Sequence, residues 1–418
     1  MTNIPGHDQR TPLLTTTRSA RRQVAAGQAS LREHNLSIVL REVLDNPGRT
    51  TRAKIAYAVG LTRASVSGLV EQLIRGGLVS ETDPEVVDRA GRPGVRLVPA
   101  GSTIVGLGLQ VQVDSLSVRA IDLTGRVLAD VRVAGDYRGV SPDATLTDLL
   151  DITQPIVDDL VAAEMTVAGA CLSIPGIVEG TVVRFAPNLG WVDVDVAPAL
   201  SRLGITGKVE LGNDADLAGL AETRARRIEN GAPQRDQSFF FVAGEVGIGG
   251  AVIVGGHPFG GVHGWSAEVG HVCVDPDGPP CGCGANGCLE VYAGKYAIMA
   301  AAGLPITDPI ASLVAAAESD PQAAAAIDQA ARTLGLALSA ALNMTDVDAV
   351  VLGGIYHTLF DQIHDRVLEI LQRRVLTTRW AEVRVERALT TDNASLTGAA
   401  LRTLEWVVDN PAGWVPAE

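Results

Sequence analysis

The stretch Glu268-Val269-Gly270-His271, followed after nine residues by Cys281-Gly282-Cys283-Gly284-Ala285-Asn286-Gly287-Cys288-Leu289-Glu290, decides how the rest of this chain is read. Within it, His271, Cys281, Cys283 and Cys288 place one imidazole and three thiols inside eighteen residues. Three thiolates and one imidazole are the soft donor set that closes a tetrahedral zinc site. The intervening glycines let a short chain bend back until four donors converge. Four of the five cysteines lie between Cys273 and Cys288, so chance clustering explains the pattern poorly. A metal-free loop or a disulfide pair is the competing reading. The donor set favours one structural zinc ion per chain. Glu268 and Glu290 flank this rigid loop, where two carboxylates are placed to accept hydrogen bonds from a polyhydroxylated ligand.

Outward from the loop, 418 residues suffice for two or three domains and a substantial core. No apolar run approaches the roughly 18 residues of a membrane span. The N-terminus is polar and Arg-containing but lacks the apolar segment of a secretory signal. A Cys-rich metal loop fits the reducing cytoplasm, so a cytoplasmic protein with no membrane partner is expected. The net charge of −14 is unevenly spread. Residues 1–100 carry 14 Lys and Arg against 9 Asp and Glu, and the other 318 carry 20 against 39. A basic end on an acidic body points to an anionic partner at that end, nucleic acid above all.

Residues 1–34 read as a flexible arm. Leu36, Val39, Leu40, Val43 and Leu44 then repeat at helical spacing until Asn46-Pro47-Gly48. Thr51 caps a second predicted helix that ends at Gly60. Thr62 caps a third, with Val66, Leu69, Val70 and Leu73 facing the core and Gly76-Gly77 at its end. Leu78–Ser80 and Val95–Val98 look like two short strands. Three helices and a two-stranded ribbon over residues 35–98 make a winged helix-turn-helix. Its third helix offers Thr62, Arg63, Ser65, Ser67 and Gln72 off the apolar stripe, side chains suited to phosphates and base edges in a major groove. The expected wing brings Arg89 and Arg92, flanked by Gly91, Pro93 and Gly94, towards a minor groove.

Beyond Ala100 the periodicity becomes two. Strands are expected at 104–109, 116–123, 127–133 and 167–174, with a helix from about Leu146 to Ala163. A second block repeats this logic, with strands at 239–243, 250–254 and 349–352 and helices over most of 307–343. Two successive mixed-sheet lobes place the body in the α/β class.

The ExGH segment followed by CxCGxxGCxE resembles, without a gap, the signature of the ROK family, which groups sugar kinases with sugar-responsive transcriptional repressors. The resemblance covers nearly all of residues 36–405. It implies a two-lobed actin-like, ribonuclease-H-type body with a ligand cleft between lobes, assigned here to residues 99–210 plus 385–418 and to residues 211–384. It also implies sugar contacts from Asn213, Asp214, Glu268, His271 and Glu290, with Asn188 in Ala186–Trp191 as a further candidate. Asp214 stands where the kinases have the base that accepts a sugar proton. Asp216 replaces the family's second Asn. The family's histidine can give one ring nitrogen to zinc and the other to the sugar.

The nucleotide half departs from the kinases. Their Asp-x-Gly-Gly-Thr loop reads Gln110-Val111-Gln112-Val113-Asp114 here, and Gly-Thr-Gly-Ile-Gly-Gly reads Glu245-Val246-Gly247-Ile248-Gly249-Gly250. Side chains where backbone must approach phosphate, and two added carboxylates, disfavour a triphosphate. Gly353-Gly354 survives from the adenosine motif, although a strand-to-helix turn explains it equally. The expected function is therefore a non-enzymatic, sugar-responsive, DNA-binding regulator of the repressor type. Its expected partners are a palindromic double-stranded operator, a monosaccharide effector and further copies of itself in a homodimer or homotetramer. A sugar kinase with an appended DNA-binding domain is the alternative.

Overall fold

The computed structural model describes residues 28–82, 94–205, 207–230, 237–391 and 393–416. Helix α1 (Gln28–Asp45) buries Leu36, Val39, Leu40 and Val43. It begins inside the expected arm, because residues 28–34 extend the helix and Arg32 donates to Gln72 at 2.6 Å. Strand β1 (Thr50–Thr51) enters α2 (Arg52–Val59), whose first turn is capped by the Thr51 hydroxyl accepting from the Lys54 amide. Helix α3 (Arg63–Arg75) is capped by Thr62 and buries the predicted Val66, Leu69, Val70 and Leu73. Strands β2 (Val79–Thr82) and β3 (Arg96–Pro99) pair antiparallel, with β1 on the other edge of β3. The segment carrying Arg89 and Arg92 lies outside the described residues, as do residues 1–27 of the expected arm.

The body holds two five-stranded mixed sheets. In the first, β4 (Ile104–Val111), β5 (Ser115–Asp122) and β6 (Val127–Ala134) form a meander. Helix α4 (Pro142–Ala162) then leads to β7 (Thr166–Ile174), parallel to β4. A separate small sheet follows from β8 (Ile177–Glu179), β9 (Val182–Ala186) and β10 (Trp191–Asp195), then the short α5 (Ala197–Leu200). Strand β11 (Lys208–Asn213) completes the order β11-β7-β4-β5-β6, and α6 (Asp214–Asn230) leaves its end.

The second sheet contains β12 (Phe239–Gly244), β13 (Ile248–Val254), β14 (His257–Pro258), β15 (Ala349–Gly354) and β16 (Arg384–Arg387), in the order β14-β13-β12-β15-β16. Helices α7 (Glu290–Ala293), α8 (Lys295–Ala301), α9 (Ile310–Ala317), α10 (Pro321–Thr345), α11 (Ile355–Thr358) and α12 (Phe360–Arg374) supply the core around Ile298, Leu313, Leu334, Val367 and Leu371. Helix α13 (Ala394–Asp409) returns to pack on β4 and α6.

This is the two-lobed actin-like α/β body expected from the sequence, preceded by a helix-turn-helix unit. Two lobe boundaries move. Strand β11 pairs along its whole length with β7, which carries the first lobe through Asn213 instead of residue 210. Strand β16 pairs in parallel with β15, which keeps residues 385–387 in the second lobe.

The N-terminal unit shares its core with the body. Leu36, Leu40 and Val70 belong to one buried cluster with Ile104, Ile121, Leu404 and Val407. Ion pairs reinforce that seam, Arg227 of α6 with Asp45 of α1 at 2.6 Å and Arg41 of α1 with Asp409 of α13.

Candidate ligand cleft and metal loop

The loop between β14 and α7 is built by short-range backbone bonds. Gly284 donates to Cys281 at 3.0 Å, Cys281 to Ala285 at 2.8 Å and Gly287 to Pro279 at 2.8 Å. Gly287 sits at φ +64, and a Cβ there would collide with the Asp275 carbonyl, so only glycine fits. These bends bring His271, Cys281, Cys283 and Cys288 together, with donor atoms all within 4.8 Å of one another. The His271 Nδ1 to Cys281 Sγ and the Cys283 to Cys288 Sγ separations are both 3.7 Å. No disulfide joins the described cysteines. These four residues form a cluster able to hold a metal ion. Cys273 is exposed and outside the cluster, pairing with Cys288 only through backbone.

The cleft beside this loop is lined by all six expected sugar contacts, Asn188, Asn213, Asp214, Glu268, His271 and Glu290. Each comes from a different local device. Asn213 ends β11, donates to the Gly176 carbonyl at 3.0 Å and accepts from the amides of Ala215 and Asp216 at 2.8 and 3.2 Å. It is thus the cap of α6, and both ends of its side-chain amide are engaged in holding Asp214 at the cleft.

Desolvation pushes the Asp214 carboxyl up to about 7; the Ala215 amide opposes this, and Glu268 and Glu245 add to it. Burial likewise raises Glu268, with His271 opposing and Glu290 adding. The residue before it, Ala267, is held at φ +68, a left-handed conformation costing about 1 kcal/mol for a residue with a Cβ. Glu290 opens α7 and accepts from the Ile248 amide at 3.1 Å, which ties the metal loop to β13. Gly247 makes that contact possible, since a Cβ there would strike the Glu290 carboxylate. Asn188 reaches the cleft from the turn between β9 and β10, a sheet with no clear periodicity in the sequence. One cross-lobe contact was not foreseen: Trp265 Nε1 donates to the Val178 carbonyl at 3.1 Å.

Of the expected DNA-contact residues, Thr62, Arg63 and Ser65 are exposed at the start of α3, and Ser67 is half-buried. Thr62 and Ser65 hydroxyls are 2.9 Å apart, so the cap also fixes this face. Gln72 does not belong with them. It is 8 % exposed and faces α1, where it receives the Arg32 bond. No described helix is long and apolar enough to cross a membrane.

A sequence profile of the ROK family matches residues 107–405. The chain is 28% identical over 278 residues to the xylose repressor of Bacillus subtilis, which spans 66% of this chain and 69% of that protein. It is 24% identical over 402 residues to the xylose repressor of Caldicellulosiruptor bescii, 91% of this chain and 98% of that one. Among solved structures it resembles a ROK family transcriptional regulator described as a homologue of the Escherichia coli MLC protein. That match has a TM-score of 0.75 and 22% identity, over 92% of this chain and 98% of that chain.

Proposed function

This chain belongs to the ROK family, and we propose that it is a transcriptional repressor that binds a double-stranded operator and releases it when a sugar fills the cleft. The observation that carries this reading is one rigid connection. Helix α6 starts with Asp214 in the cleft and, about 20 Å further along at 1.5 Å per residue, pairs Arg227 with Asp45 of α1 at 2.6 Å. Closure of the lobes on a sugar that engages Asp214, Glu268, His271 and Glu290 would move α6 and so re-aim the helix-turn-helix. Such coupling requires only that sugar bind the two arrangements with different affinity. The names of the Bacillus and Caldicellulosiruptor relatives support xylose or a related sugar as the effector class.

The donor set supports zinc in the metal loop. Tetrahedral zinc with Zn–S bonds of ~2.3 Å places sulfurs about 3.8 Å apart, close to the 3.7 Å between Cys283 and Cys288. With His271 Nδ1 turned towards Cys281, its other ring nitrogen is left for the sugar. Bound zinc would stiffen the wall that carries Glu268 and Glu290.

Kinase activity is disfavoured by the residues at the other end of the cleft. Gln112 and Val113 stand where backbone would need to approach phosphate, and Asp114 and Glu245 add two carboxylates. A coupled ATP-turnover assay over xylose, glucose, mannose and N-acetylglucosamine should read background rates; robust turnover would replace the repressor by the kinase reading.

Two variants test the DNA side. Arg63→Ala should weaken binding to operator DNA by about tenfold and reduce the salt dependence by roughly one phosphate contact, with sugar affinity unchanged. Equal affinity at matched salt would remove Arg63 from the interface. Arg227→Ala should leave both single affinities within about threefold of wild type while the sugar-induced loss of operator affinity shrinks severalfold, a coupling effect of about 1 kcal/mol. A variant with undiminished coupling would place the connection elsewhere. In solution a homodimer or homotetramer is expected, with two recognition helices set for a palindrome.

A further inference from the structure

The small sheet of β8, β9 and β10 is rooted in the first lobe, where Val183, Ala186 and Trp191 are buried in the core cluster. Its β9–β10 turn carries Asn188 to the cleft. The second lobe meets this sheet and its surroundings at three points. Val246, in the turn between β12 and β13, packs against the same first-lobe cluster. A Cβ on the neighbouring Gly247 would stand 3.5 Å from Asn188 Nδ2. The third point is the Trp265 indole, which donates to the Val178 carbonyl at 3.1 Å.

Among the described residues, this is the hydrogen bond that ties the second lobe to β8–β10. Strand β8 is an edge of its sheet, where carbonyls lack a strand partner, and the indole N–H supplies one. The segment presenting the indole, residues 259–266, is a tight excursion. Phe259 donates to the Val252 carbonyl at 2.7 Å, and the Ser266 hydroxyl donates back to the Phe259 carbonyl. Gly261 and Gly264 turn the chain at φ +69 and +86, and His263 stacks on Trp265 with ring centroids 4.8 Å apart. The backbone then runs into Glu268, so a bond to the first lobe and an expected sugar contact share one short segment.

We propose that residues 259–266 are a strap whose Trp265 latches the β8–β10 sheet to the second lobe, and that this latch gates the entry and exit of sugar. This rests on the sugar-sensing reading and deepens it, from the residues that hold the sugar to the one that controls its exchange. Trp265 is not among the described residues lining the cleft. A latch that does not touch the sugar stabilises the shut arrangement whether the site is empty or filled. Losing it speeds entry and exit by the same factor and leaves the equilibrium affinity alone. Losing a sugar contact instead speeds exit and weakens affinity together.

Trp265→Phe tests the latch, because it keeps a ring for His263 to stack on and removes the N–H. The full-length, metal-loaded chain is titrated by calorimetry with xylose, glucose, mannose and N-acetylglucosamine to give Kd. Line-shape NMR of the 13C-labelled sugar that binds gives the exit rate, and the exit rate divided by Kd gives the entry rate. One neutral hydrogen bond sets the scale, so the variant should exchange sugar roughly three- to tenfold faster in both directions. Its Kd should stay within about twofold of wild type, with an unchanged melting temperature showing that it folds. Unchanged rates would refute the latch while sugar sensing stands. A faster exit matched by an equally weaker Kd would also refute it, placing Trp265 among the sugar's own contacts. If the wild-type chain binds none of the four sugars, the sugar-sensing reading falls and the latch with it.

Discussion

Cys283→Ser is expected to leave the purified protein with less than about one tenth of the wild-type zinc content and to lower its melting temperature by at least ~5 °C. The serine hydroxyl stays protonated near neutral pH and does not replace a thiolate on a soft site. What remains is a three-donor loop whose turns run through Gly284 and Gly287 at φ +95 and +64, with short backbone bonds left to hold Cys281, Cys288 and His271 together. Metal binding free energy is folding free energy for such a loop. A loss of ~2 kcal/mol already shifts a domain of this size by several degrees. The sugar response should fall with it, because Glu268 and Glu290 are carried by the same segment. Metal analysis showing full occupancy in the variant would refute the ligand assignment.

Glu268→Ala should abolish the sugar response while leaving operator affinity and metal content intact. The carboxylate sits beside His271 and Glu290 in a desolvated wall. Hydrogen bonds to a charged acceptor there are worth about 1.5–3 kcal/mol each. Losing two of them weakens sugar binding by roughly a hundredfold or more, enough to remove release at millimolar sugar. The substitution also removes a charge that opposes ionisation of Asp214, a smaller effect of opposite sign that does not restore the lost contacts. A variant still released by the same sugar concentration would exclude Glu268 from the ligand site.

The parts of this fold legible in the sequence are those fixed by local chemistry. His271 and the three cysteines read as a donor set because only metal chemistry asks for those residue types at that spacing. Thr51 and Thr62 read as caps because a hydroxyl before an apolar helical repeat satisfies free amides, and both do so here. Asp214 at the mouth of a helix was readable too, although the sequence did not show that Asn213 spends its side chain capping that helix.

What escaped depends on partners remote along the chain. Gln72 lies off the apolar stripe of α3, so a single-helix pattern counts it as exposed; only the packing of α1, through Arg32, covers it. Strands β11 and β16 were divided by the expected lobe boundaries because their places are set by parallel pairing with β7 and β15, which no local periodicity encodes. The small sheet of β8, β9 and β10 contains strands of three to five residues with mixed polarity, too short for a period to declare itself. Asn188 depends on that sheet for its place in the cleft.

The measurement that bears most directly on the central claim is fluorescence anisotropy of the full-length, zinc-loaded protein on a labelled palindromic duplex recovered by selection from random sequence. Titrations at fixed salt are run without sugar and with saturating xylose, glucose, mannose or N-acetylglucosamine. Binding is expected to be nanomolar to tens of nanomolar without sugar and to weaken at least tenfold with one sugar, a coupling of about 1.4 kcal/mol or more. Operator affinity that is the same with every sugar, at concentrations that calorimetry shows to fill the cleft, would contradict it.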